Sequence, residues 1–246
     1  MKQNRLYTDL AYLWPVISPP EESAEEAGYW RRALWDRLGP GEHQILELGV
    51  GGGHNLSHLT SDFQATAVDI SPQMLALSSK LNPSVQHHLG DMRSVLLGRT
   101  FDAVLIHDAI CYMLTESDLR AAFATAKIHL RPGGVLLVAP DLVREVFKGT
   151  TLLKWVRKTG NVEVTVEEYL HDPDPADTQL ESVFTYTINE NGKQRVEQDT
   201  HLSGLFPIST WTSLMKEAGL QVDTLRVPAD DNGYGGFLFA GTLVIT

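Results

Sequence analysis

Short apolar runs alternate with helical patterns between residues 44 and 140. Four of the runs, QILEL, ATAVD, DAVLIH and GVLLVAP, are too short and too continuously apolar for surface helices and are typical of strands buried on both faces. Two segments between them, SPQMLALSSKL and ESDLRAAFATAKIHL, have helical spacing and open with serine or acidic caps. This alternation predicts βαβ units and a parallel, doubly wound sheet.

The pattern changes after residue 141, where β-branched and aromatic residues begin to alternate with polar ones. VEVTVEEYL, LESVFTYTI and KQRVEQDTHL show this alternation, and the loop between the last two contains Asn-Gly. They predict antiparallel strands. A helical segment, STWTSLMKEAG, and two further predicted strands, LQVDTLRV and FLFAGTLVI, complete the chain.

Composition and charge narrow the classes of partner. The 246 residues include 31 acids against 20 Lys plus Arg, a formal net charge of −11, which argues against non-specific binding to nucleic acid or anionic membrane. The single Cys111 excludes a disulfide framework and a thiolate-based structural metal site. No apolar stretch reaches about 18 residues and the N-terminus lacks a cleavable leader pattern, so we expect a cytoplasmic protein.

The segment ILELGVGGGHN carries the clearest chemical signal. A predicted strand ends near Glu47 and is followed by the spaced glycines Gly49, Gly51 and Gly53 before a predicted helix. Glycines permit a sharp turn and close approach of a ligand, while the helix N-terminus offers free N–H groups. Asp69 ends the next predicted strand, at about the interval where an acid accepts hydrogen bonds from ribose hydroxyls.

Two cofactor classes use this geometry, and the glycine spacing separates them. The dinucleotide fingerprint G-x-G-x-x-G requires a glycine at His54 if it starts at Gly49, and at Leu56 if it starts at Gly51. An acid at the strand end would repel a pyrophosphate but can receive an ammonium group. The loop therefore favours a zwitterionic nucleoside over a dinucleotide.

Five successive motifs extend this signal: ELGVGGG, VDISPQML, GDMRSV, FDAVLIHDAICYM and LRPGGVLLV. In order and separation they resemble the motifs of class I S-adenosylmethionine-dependent methyltransferases, over residues 44–140. The tail THLSGLFPISTWTSLMKEAGLQV, with the strands before it, resembles a branch that includes the amino-sugar N-methyltransferases of macrolide biosynthesis and many uncharacterised relatives. WPVISPPEESAEE departs from the N-terminal region of that branch, which usually helps to form the acceptor pocket.

The resemblance implies an α/β fold: a Rossmann-like, doubly wound, seven-stranded and mostly parallel sheet with an antiparallel β lobe inserted between its fifth and sixth strands. Acids followed by arginines predict a helix near 21–38. We expect four parts: an N-terminal helical lid segment at 1–43, an S-adenosylmethionine-binding core at 44–140, an inserted antiparallel substrate lobe at 141–205, and a C-terminal helix with the last two strands of the core sheet at 206–246.

The resemblance also implies which residues contact the cofactor S-adenosylmethionine and its product S-adenosylhomocysteine. Glu47 lies near the methionine amino group, Asp69 takes the ribose hydroxyls, and Asp91 accepts from the adenine amino group. The full implied set is Glu47, Gly49, Gly51, Gly53, Asp69, Ile70, Asp91, Met92 and His107. No metal is expected, because His87 and His88 face opposite ways on a strand and HDPDPAD is typical of a proline-stiffened turn.

Methyl transfer from a sulfonium is an in-line displacement, so the protein mainly aligns the acceptor and excludes water. The candidate catalytic residues are Tyr112, His107 and His201. Each has an alternative role: Tyr112 as a packed aromatic at a helix start, His107 as part of the cofactor shelf, and His201 as a strand histidine bonded to backbone.

We therefore expect a methyltransferase that acts on a nitrogen or oxygen of a small molecule, with an amino sugar as the best single acceptor. Two alternatives remain: a non-catalytic protein that binds the nucleoside as a sensor or partner subunit, and an NAD-dependent oxidoreductase. No nucleic-acid or membrane partner is expected, and a homodimer is compatible with the sequence. Tyr7, Tyr12 and Trp14 either close over the cofactor or pack in the core.

Overall fold

The computed structural model describes residues 4–229 and 234–244. Its β-strands are β1 (Gln44–Leu48), β2 (Gln64–Asp69), β3 (Gln86–Leu89), β4 (Phe101–Ile106), β5 (Leu130–Val138), β6 (Thr151–Thr159), β7 (Val162–His171), β8 (Gln179–Glu190), β9 (Lys193–Gly204), β10 (Leu220–Ala229) and β11 (Gly235–Leu243). Its α-helices are α1 (Trp14–Ile17), α2 (Ala24–Leu38), α3 (His54–Ser57), α4 (Pro72–Leu81), α5 (Glu116–Ile128) and α6 (Ile208–Glu217). Within the described residues, no helix combines the length and apolarity needed to cross a bilayer.

Seven strands form one mixed sheet in the order β10-β11-β5-β4-β1-β2-β3. The strands from β3 to β5 pair in parallel, whereas β11 is antiparallel to both of its neighbours. A second, four-stranded sheet of β6 to β9 is antiparallel throughout and is inserted between β5 and β10. The predicted fold, with an antiparallel lobe between the fifth and sixth strands of the main sheet, is confirmed.

The burial of β4 explains why its sequence is continuously apolar. Val104 and Ile106 enter an apolar cluster on one face of the sheet, while Ala103 and Leu105 enter a second cluster on the other face. Helices α5 and α6 contribute to the first cluster and α2 to the second, each through its apolar stripe. By contrast, β3 lies at the edge of the sheet and lacks an apolar run, so only strand pairing identifies it.

The starts of two helices show how local polar residues set the boundaries. Helix α4 begins after Ser71, whose Oγ accepts from the backbone N–H of Met74 at 3.1 Å. Helix α5 begins after Thr115, whose hydroxyl accepts from the backbone N–H of Asp118 at 3.1 Å. The acidic cap expected for this second helix is therefore wrong, since a threonine one position earlier satisfies the free N–H group.

The inserted lobe contains one strand more than the sequence pattern predicts. Strands β8 and β9 are joined by Asn191-Gly192, with φ of 53° and 76°, as a two-residue type I′ hairpin requires. The additional strand, β6, has the sequence TLLKWVRKT and lies at the edge of the lobe, where charged residues are tolerated. Its Lys and Arg side chains hide the alternation that identifies the other three.

The N-terminal segment, residues 4–17, packs against the inserted lobe. Its buried side chains share one apolar cluster with residues of β7 and β8: Leu6, Leu10, Leu13, Ile17, Val164, Val166, Tyr186 and Ile188. The helix predicted near 21–38 begins at Ala24, after a 3₁₀ turn at Pro20–Ser23. The strand predicted at 237–245 ends at Leu243, and residue 245 lies outside the described residues.

Candidate active site

The predicted site residues lie at the carboxyl ends of β1, β2 and β4, the edge where doubly wound sheets bind ligands. Glu47 precedes the last residue of β1, Asp69 is the last residue of β2, and His107 directly follows β4. The loop after β1 is anchored on β2, because the backbone N–H of Gly49 donates to the carbonyl of Val68 at 2.8 Å. The sheet therefore brings together side chains that are far apart in the sequence.

Two glycines of this loop are required for different reasons. Gly51 has a φ of 54° and open space where a side chain would stand, so its backbone stays accessible to a ligand. Gly53 also has a positive φ, and a Cβ there would collide with Ser78 and Asn82 at α4. The side chain of Asn82 donates to the carbonyl of Gly53 at 3.0 Å. Gly53 thus allows the loop to pack on α4.

Asp69 connects the glycine loop to the start of α4. Its Oδ2 accepts from the backbone N–H of Gly51 and its Oδ1 from that of Ser71, both at 2.8 Å. Burial raises the pKa of this carboxyl above its ordinary value. Each carboxylate oxygen keeps a further lone pair for a ligand hydroxyl. The adjacent Ile70 is 55% exposed, an apolar surface beside the acid.

Unpartnered buried polar atoms concentrate around the same loop. Glu47 is only 2% exposed, its Oε2 has no hydrogen-bond partner, and burial raises its pKa to about 8. Trp14 Nε1, His54 Nδ1 and both side-chain amide atoms of Asn55 are also buried without partners. A Cβ on Gly52 would collide with the Trp14 ring, so this ring lies directly on the loop. Because an unpaired buried polar group costs about 1–3 kcal/mol, this concentration indicates a polar ligand.

Asp91 is already held by a cation. Its two oxygens accept from the Arg93 guanidinium, at 3.0 Å from Nε and 2.6 Å from Nη2, and these hydrogen bonds lower the pKa of the carboxyl. Arg93 Nη1 also donates to Asp118 at 2.8 Å, which fixes the guanidinium from the other side. The next residue, Met92, is buried with its Cε against Gly49. The adenine contact assigned to Asp91 stays a prediction.

His107 lies in a group of acids. Its Nε2 is 2.7 Å from Glu26 Oε1 and 3.2 Å from Asp108 Oδ1, and its ring meets Trp30 edge-on at 5.2 Å between centroids. Burial by itself would lower the pKa of His107, but Asp108 and Glu26 outweigh it and raise the pKa to about 10. A histidine that is protonated at neutral pH cannot accept a further proton. Its geometry favours charge pairing over the role of a base.

Glu26, His107 and Asp108 also offer three possible metal-ligand atoms within 4.8 Å of one another. A metal ion would have to displace the proton that these acids hold on His107. The ion pair accounts for the arrangement, so we assign no metal to it. Two of the other histidines considered have protein partners: His87 is 2.8 Å from Ser78 Oγ, and His171 is 3.1 Å from Glu181.

Four side chains beside the loop form a continuous series of hydrogen bonds, termed here the tyrosine–histidine chain. Tyr7 OH lies 2.6 Å from Tyr112 OH, and Tyr112 OH lies 2.9 Å from His201 Nδ1. His201 Nε2 lies 2.8 Å from Asp199 Oδ2. The members come from the N-terminal segment, the 3₁₀ turn Asp108–Tyr112 after β4, and β9. Two candidate catalytic residues, Tyr112 and His201, are thus in direct contact.

Tyr7 connects this chain to the glycine loop. Its carbonyl accepts from the hydroxyl of Ser71, two residues after Asp69. Its ring meets the Trp14 ring edge-on, 5.9 Å between centroids, and Trp14 in turn lies on Gly52. The N-terminal segment therefore contacts both the loop and the tyrosine–histidine chain, while Tyr7 and Trp14 also pack against the apolar cluster shared with the lobe. Closure of these aromatic residues over the cofactor stays a prediction.

Comparison with known proteins identifies this arrangement. Residues 45–134 match the family described as "Methyltransferase domain". The chain is 33% identical over 190 residues to the dTDP-3-amino-3,4,6-trideoxy-alpha-D-glucopyranose N,N-dimethyltransferase of Streptomyces venezuelae, covering 76% of this chain and 79% of that protein. This chain belongs to the sugar N-methyltransferase family. It is an S-adenosylmethionine-dependent enzyme of class I.

Two solved structures resemble this methyltransferase over nearly its whole length. The sugar N-methyltransferase KedS8 from Streptoalloteichus sp. has a TM-score of 0.83 and 26% identity, covering 96% of this chain and 92% of that one. CalS10, an amino pentose methyltransferase from Micromonospora echinaspora involved in calicheamicin biosynthesis, was solved with S-adenosylmethionine bound. It has a TM-score of 0.76 and 26% identity, covering 95% of both chains.

The loop of this methyltransferase fits its cofactor chemically. S-adenosylmethionine carries an ammonium group, a carboxylate and two ribose hydroxyls. The unpartnered acid Glu47 suits the ammonium group, and Asp69 has lone pairs for the hydroxyls. The unpartnered donors at Trp14 and Asn55 suit a carboxylate. Glu47 Oε2, Trp14 Nε1 and the side-chain N–H of Asn55 therefore each match a group of opposite character on the cofactor.

The residues predicted from sequence to contact the cofactor or the acceptor do not include Glu26, Arg93 and Asp199, and Tyr7 was raised only as a residue that either closes over the cofactor or packs in the core. Asp199 had a detectable signal, because it stands two residues before His201 on a strand and so shares its face. Arg93 also had one, since it follows Asp91 at a spacing that allows a local ion pair. Glu26 contacts a residue 81 positions away, a distance that no local pattern reveals.

Proposed function

We propose that this methyltransferase transfers a methyl group from S-adenosylmethionine to the amino nitrogen of an amino sugar. The observation that carries the proposal is the tyrosine–histidine chain beside the glycine loop, where phenol and imidazole groups suit an N–H donor. The relative with 33% identity is named as an N,N-dimethyltransferase of a dTDP-linked amino sugar, which supports nitrogen as the acceptor atom.

In this proposal, each residue at a strand end binds a different part of the cofactor. The cofactor supplies an electrophilic methyl group on a sulfonium. Glu47 binds the ammonium group, and Asp69 orients the ribose while the exposed side chain of Ile70 packs beside the adenine. Asp91 and the Met92 backbone take the adenine ring, and the backbone at Gly49, Gly51 and Gly53 gives the methionine portion room to approach.

The acceptor side contributes orientation and exclusion of water. A neutral amine is a good nucleophile, so positioning alone can supply several kcal/mol of barrier reduction. Tyr7 and Tyr112 accept hydrogen bonds from the N–H groups of the amino sugar, and His201 holds the Tyr112 hydroxyl in place through a hydrogen bond. His107, cationic and paired with Glu26, offsets the negative charge of the neighbouring acids without itself moving a proton.

The parts of the chain have separate tasks in this proposal. Residues 44–140 bind the cofactor, residues 141–205 with 1–43 enclose the acceptor, and residues 206–246 complete the sheet. The shared apolar cluster of the N-terminal segment and the lobe supports this division, because it holds the elements that carry Tyr7 and His201 together. The net charge of −11 supports a small-molecule acceptor over nucleic acid.

The test begins with calorimetric titration of the purified protein with S-adenosylmethionine, S-adenosylhomocysteine and NADH. Binding of the first two and none of NADH is expected, whereas binding of NADH alone would support an oxidoreductase. The protein is then incubated with S-adenosylmethionine and dTDP-3-amino-3,6-dideoxy-α-D-glucose or free 3-amino sugars, and mass spectrometry counts the methyl groups gained. Cofactor binding with no methylation of any amino acceptor would favour a sensor.

A further inference from the structure

The tyrosine–histidine chain has a direction, and Asp199 sets it. The backbone N–H of Leu6 donates to Asp199 Oδ2 at 2.9 Å, and that of Thr200 donates to Oδ1 at 3.0 Å. Burial acts to raise the pKa of Asp199, but hydrogen bonds from His201 and the Leu6 backbone outweigh it and lower the pKa. The carboxylate therefore only accepts, and His201 Nε2 must carry the ring proton.

This assignment extends to both tyrosines. With its proton on Nε2, neutral His201 has a bare acceptor at Nδ1, so the Tyr112 hydroxyl donates to it. Tyr112 has a single hydroxyl proton, so Tyr7 must donate across the 2.6 Å contact between the two oxygens. The Tyr7 oxygen is left with lone pairs and no proton to offer. The Tyr7 oxygen can therefore accept a proton from a bound acceptor but cannot donate one to it.

We propose that the tyrosine–histidine chain is a proton exit for the acceptor amine, with Tyr7 as its entrance and His201 as the final carrier. The inference rests on the proposed function. An acceptor ammonium gives a proton to the Tyr7 oxygen, Tyr7 passes its own proton to Tyr112, and Tyr112 passes its own to His201 Nδ1. One N–H bond breaks on the acceptor and one forms on His201, while each tyrosine loses and regains one O–H bond. The electron pair left on the acceptor nitrogen forms the new N–C bond as the methyl–sulfur bond breaks, and the electron pair of that bond stays on the sulfur of the product S-adenosylhomocysteine.

The chemistry of the members suits this task. Burial raises the pKa of both Tyr7 and Tyr112, so neither is a phenolate at neutral pH and each hands on one proton while taking another. The ionised Asp199 stabilises the imidazolium that forms on His201. An amine that has just gained a methyl group is again an ammonium, so a second methylation would need the same exit. Tyr7 is thus a catalytic residue, and Asp199 is a positioning residue.

The surroundings of His201 support a cationic acceptor. Its ring packs 4.8 Å from Phe184 on β8 and 5.5 Å from Tyr7, measured between centroids. Ser182, opposite His201 on β8, donates to Glu168 at 2.8 Å and so is engaged elsewhere. Three carboxyl groups act on the Tyr7 hydroxyl through space: Asp69, Asp108 and Asp141. Those that are ionised attract an ammonium group.

The first test needs no acceptor. Long-range ¹H–¹⁵N spectra of histidine-labelled protein report which ring nitrogen carries the proton, and His201→Gln assigns the signal. We expect neutral His201 to carry its proton on Nε2 with Nδ1 bare. A proton on Nδ1 would reverse the direction of the whole chain and overturn the proposal.

The second test is the pH dependence of kcat/KM, with dTDP-3-amino-3,6-dideoxy-α-D-glucose as the probe. In Tyr7→Phe and Asp199→Asn the acceptor must arrive as free amine, so kcat/KM should fall about tenfold per pH unit below the pKa of the acceptor ammonium. In the unsubstituted enzyme, which can take the proton from a bound ammonium, kcat/KM should fall clearly less than tenfold per pH unit over the same range. If the pH profiles of kcat/KM for the variants and the unsubstituted enzyme are parallel and differ only in height, the proposed proton exit is wrong.

Tyr186→Phe is the matched control. Tyr186 is buried on the same lobe, and its hydroxyl has no hydrogen-bond partner, so its removal should leave the profile unchanged. Cofactor affinity should stay within twofold in all these variants. Methylation with parallel profiles contradicts the exit alone, whereas no methyl transfer by the unsubstituted enzyme at any pH contradicts the proposed function itself.

Discussion

The proposed cofactor side and the proposed acceptor side of the site are built in different ways. The cofactor side uses strand ends and one loop, and its key hydrogen bond joins Gly51 to Asp69, 18 residues later. The acceptor side joins Tyr7 to Tyr112 across 105 residues and Tyr112 to His201 across 89. The first depends on the edge of a single sheet, and the second on the docking of three separate elements. Acceptor contacts can therefore change while cofactor binding is kept.

The largest effect is expected from removal of the acid that organises the cofactor side. Asp69→Ala removes the acceptor for the N–H groups of Gly51 and Ser71 and for the ribose, so S-adenosylmethionine affinity should fall about 100-fold, or about 3 kcal/mol. Calorimetry measures the change. Alanine at His87, His88 or His171 is the comparison and should alter affinity less than threefold; equal losses would contradict the assignment of Asp69.

The glycine loop can be tested through stability. Gly53→Ala combines a positive φ with a collision against Ser78 and Asn82, so the free energy of unfolding should fall by about 2 kcal/mol. Gly160→Ala is the control, because Gly160 has a φ of 60° but open space around it. Urea denaturation should therefore show a clearly smaller loss for Gly160→Ala. Equal losses would mean that φ alone matters at residue 53.

Tyr112→Phe tests whether the two sides are separable. The substitution keeps the ring and removes the hydroxyl that contacts Tyr7 and His201. Turnover should fall about tenfold, as expected for a lost proton-transfer group, while cofactor affinity stays within twofold. Steady-state kinetics and calorimetry on the same preparation measure both. An unchanged turnover rate with an identified acceptor would show that Tyr112 only packs in the site.

The smallest effect is expected at the ion pair of His107 with Glu26. Because the pKa of His107 is raised to about 10 from 6.5, its contribution to stability is complete below pH 6.5 and is lost as the pH rises through 10. Glu26→Gln should lower the pKa of His107, measured by NMR titration. It should also reduce the free energy of unfolding by about 1 kcal/mol near pH 6, since the Glu26 side chain is 41% exposed and partly screened. This difference should vanish above pH 10.

The main sheet could be predicted from sequence because its strands are buried on both faces. Such strands are continuously apolar, and the glycine loop follows the first of them directly. The edge strands β3 and β6 lack this signal, since exposure on one side permits histidine, lysine and arginine. Burial pattern therefore predicts the centre of a sheet better than its edges.

The candidate site likewise contains residues that local sequence predicts and residues that it does not. The positions of Glu47, the glycines and Asp69 follow from local motifs that a sheet edge necessarily brings together. Tyr7 and Glu26 meet their partners only through tertiary docking, and the N-terminal segment departs from the family pattern. The sequence shows Asp108 beside His107 but cannot reveal Glu26, the other acid that raises the pKa of His107, because Glu26 lies 81 positions away along the chain.

The position of the N-terminal segment has a consequence for kinetic order. Through Tyr7 and Trp14 the segment rests on both Ser71 and Gly52, so it covers part of the glycine loop. We expect each exchange of S-adenosylhomocysteine for S-adenosylmethionine to require that the segment lift away. If the acceptor nitrogen takes two methyl groups, an acceptor held partly by Tyr7 would be released between the two transfers, and dimethylation would be distributive. Accumulation of free monomethyl product early in a time course would support this, whereas direct appearance of the dimethyl product would contradict it.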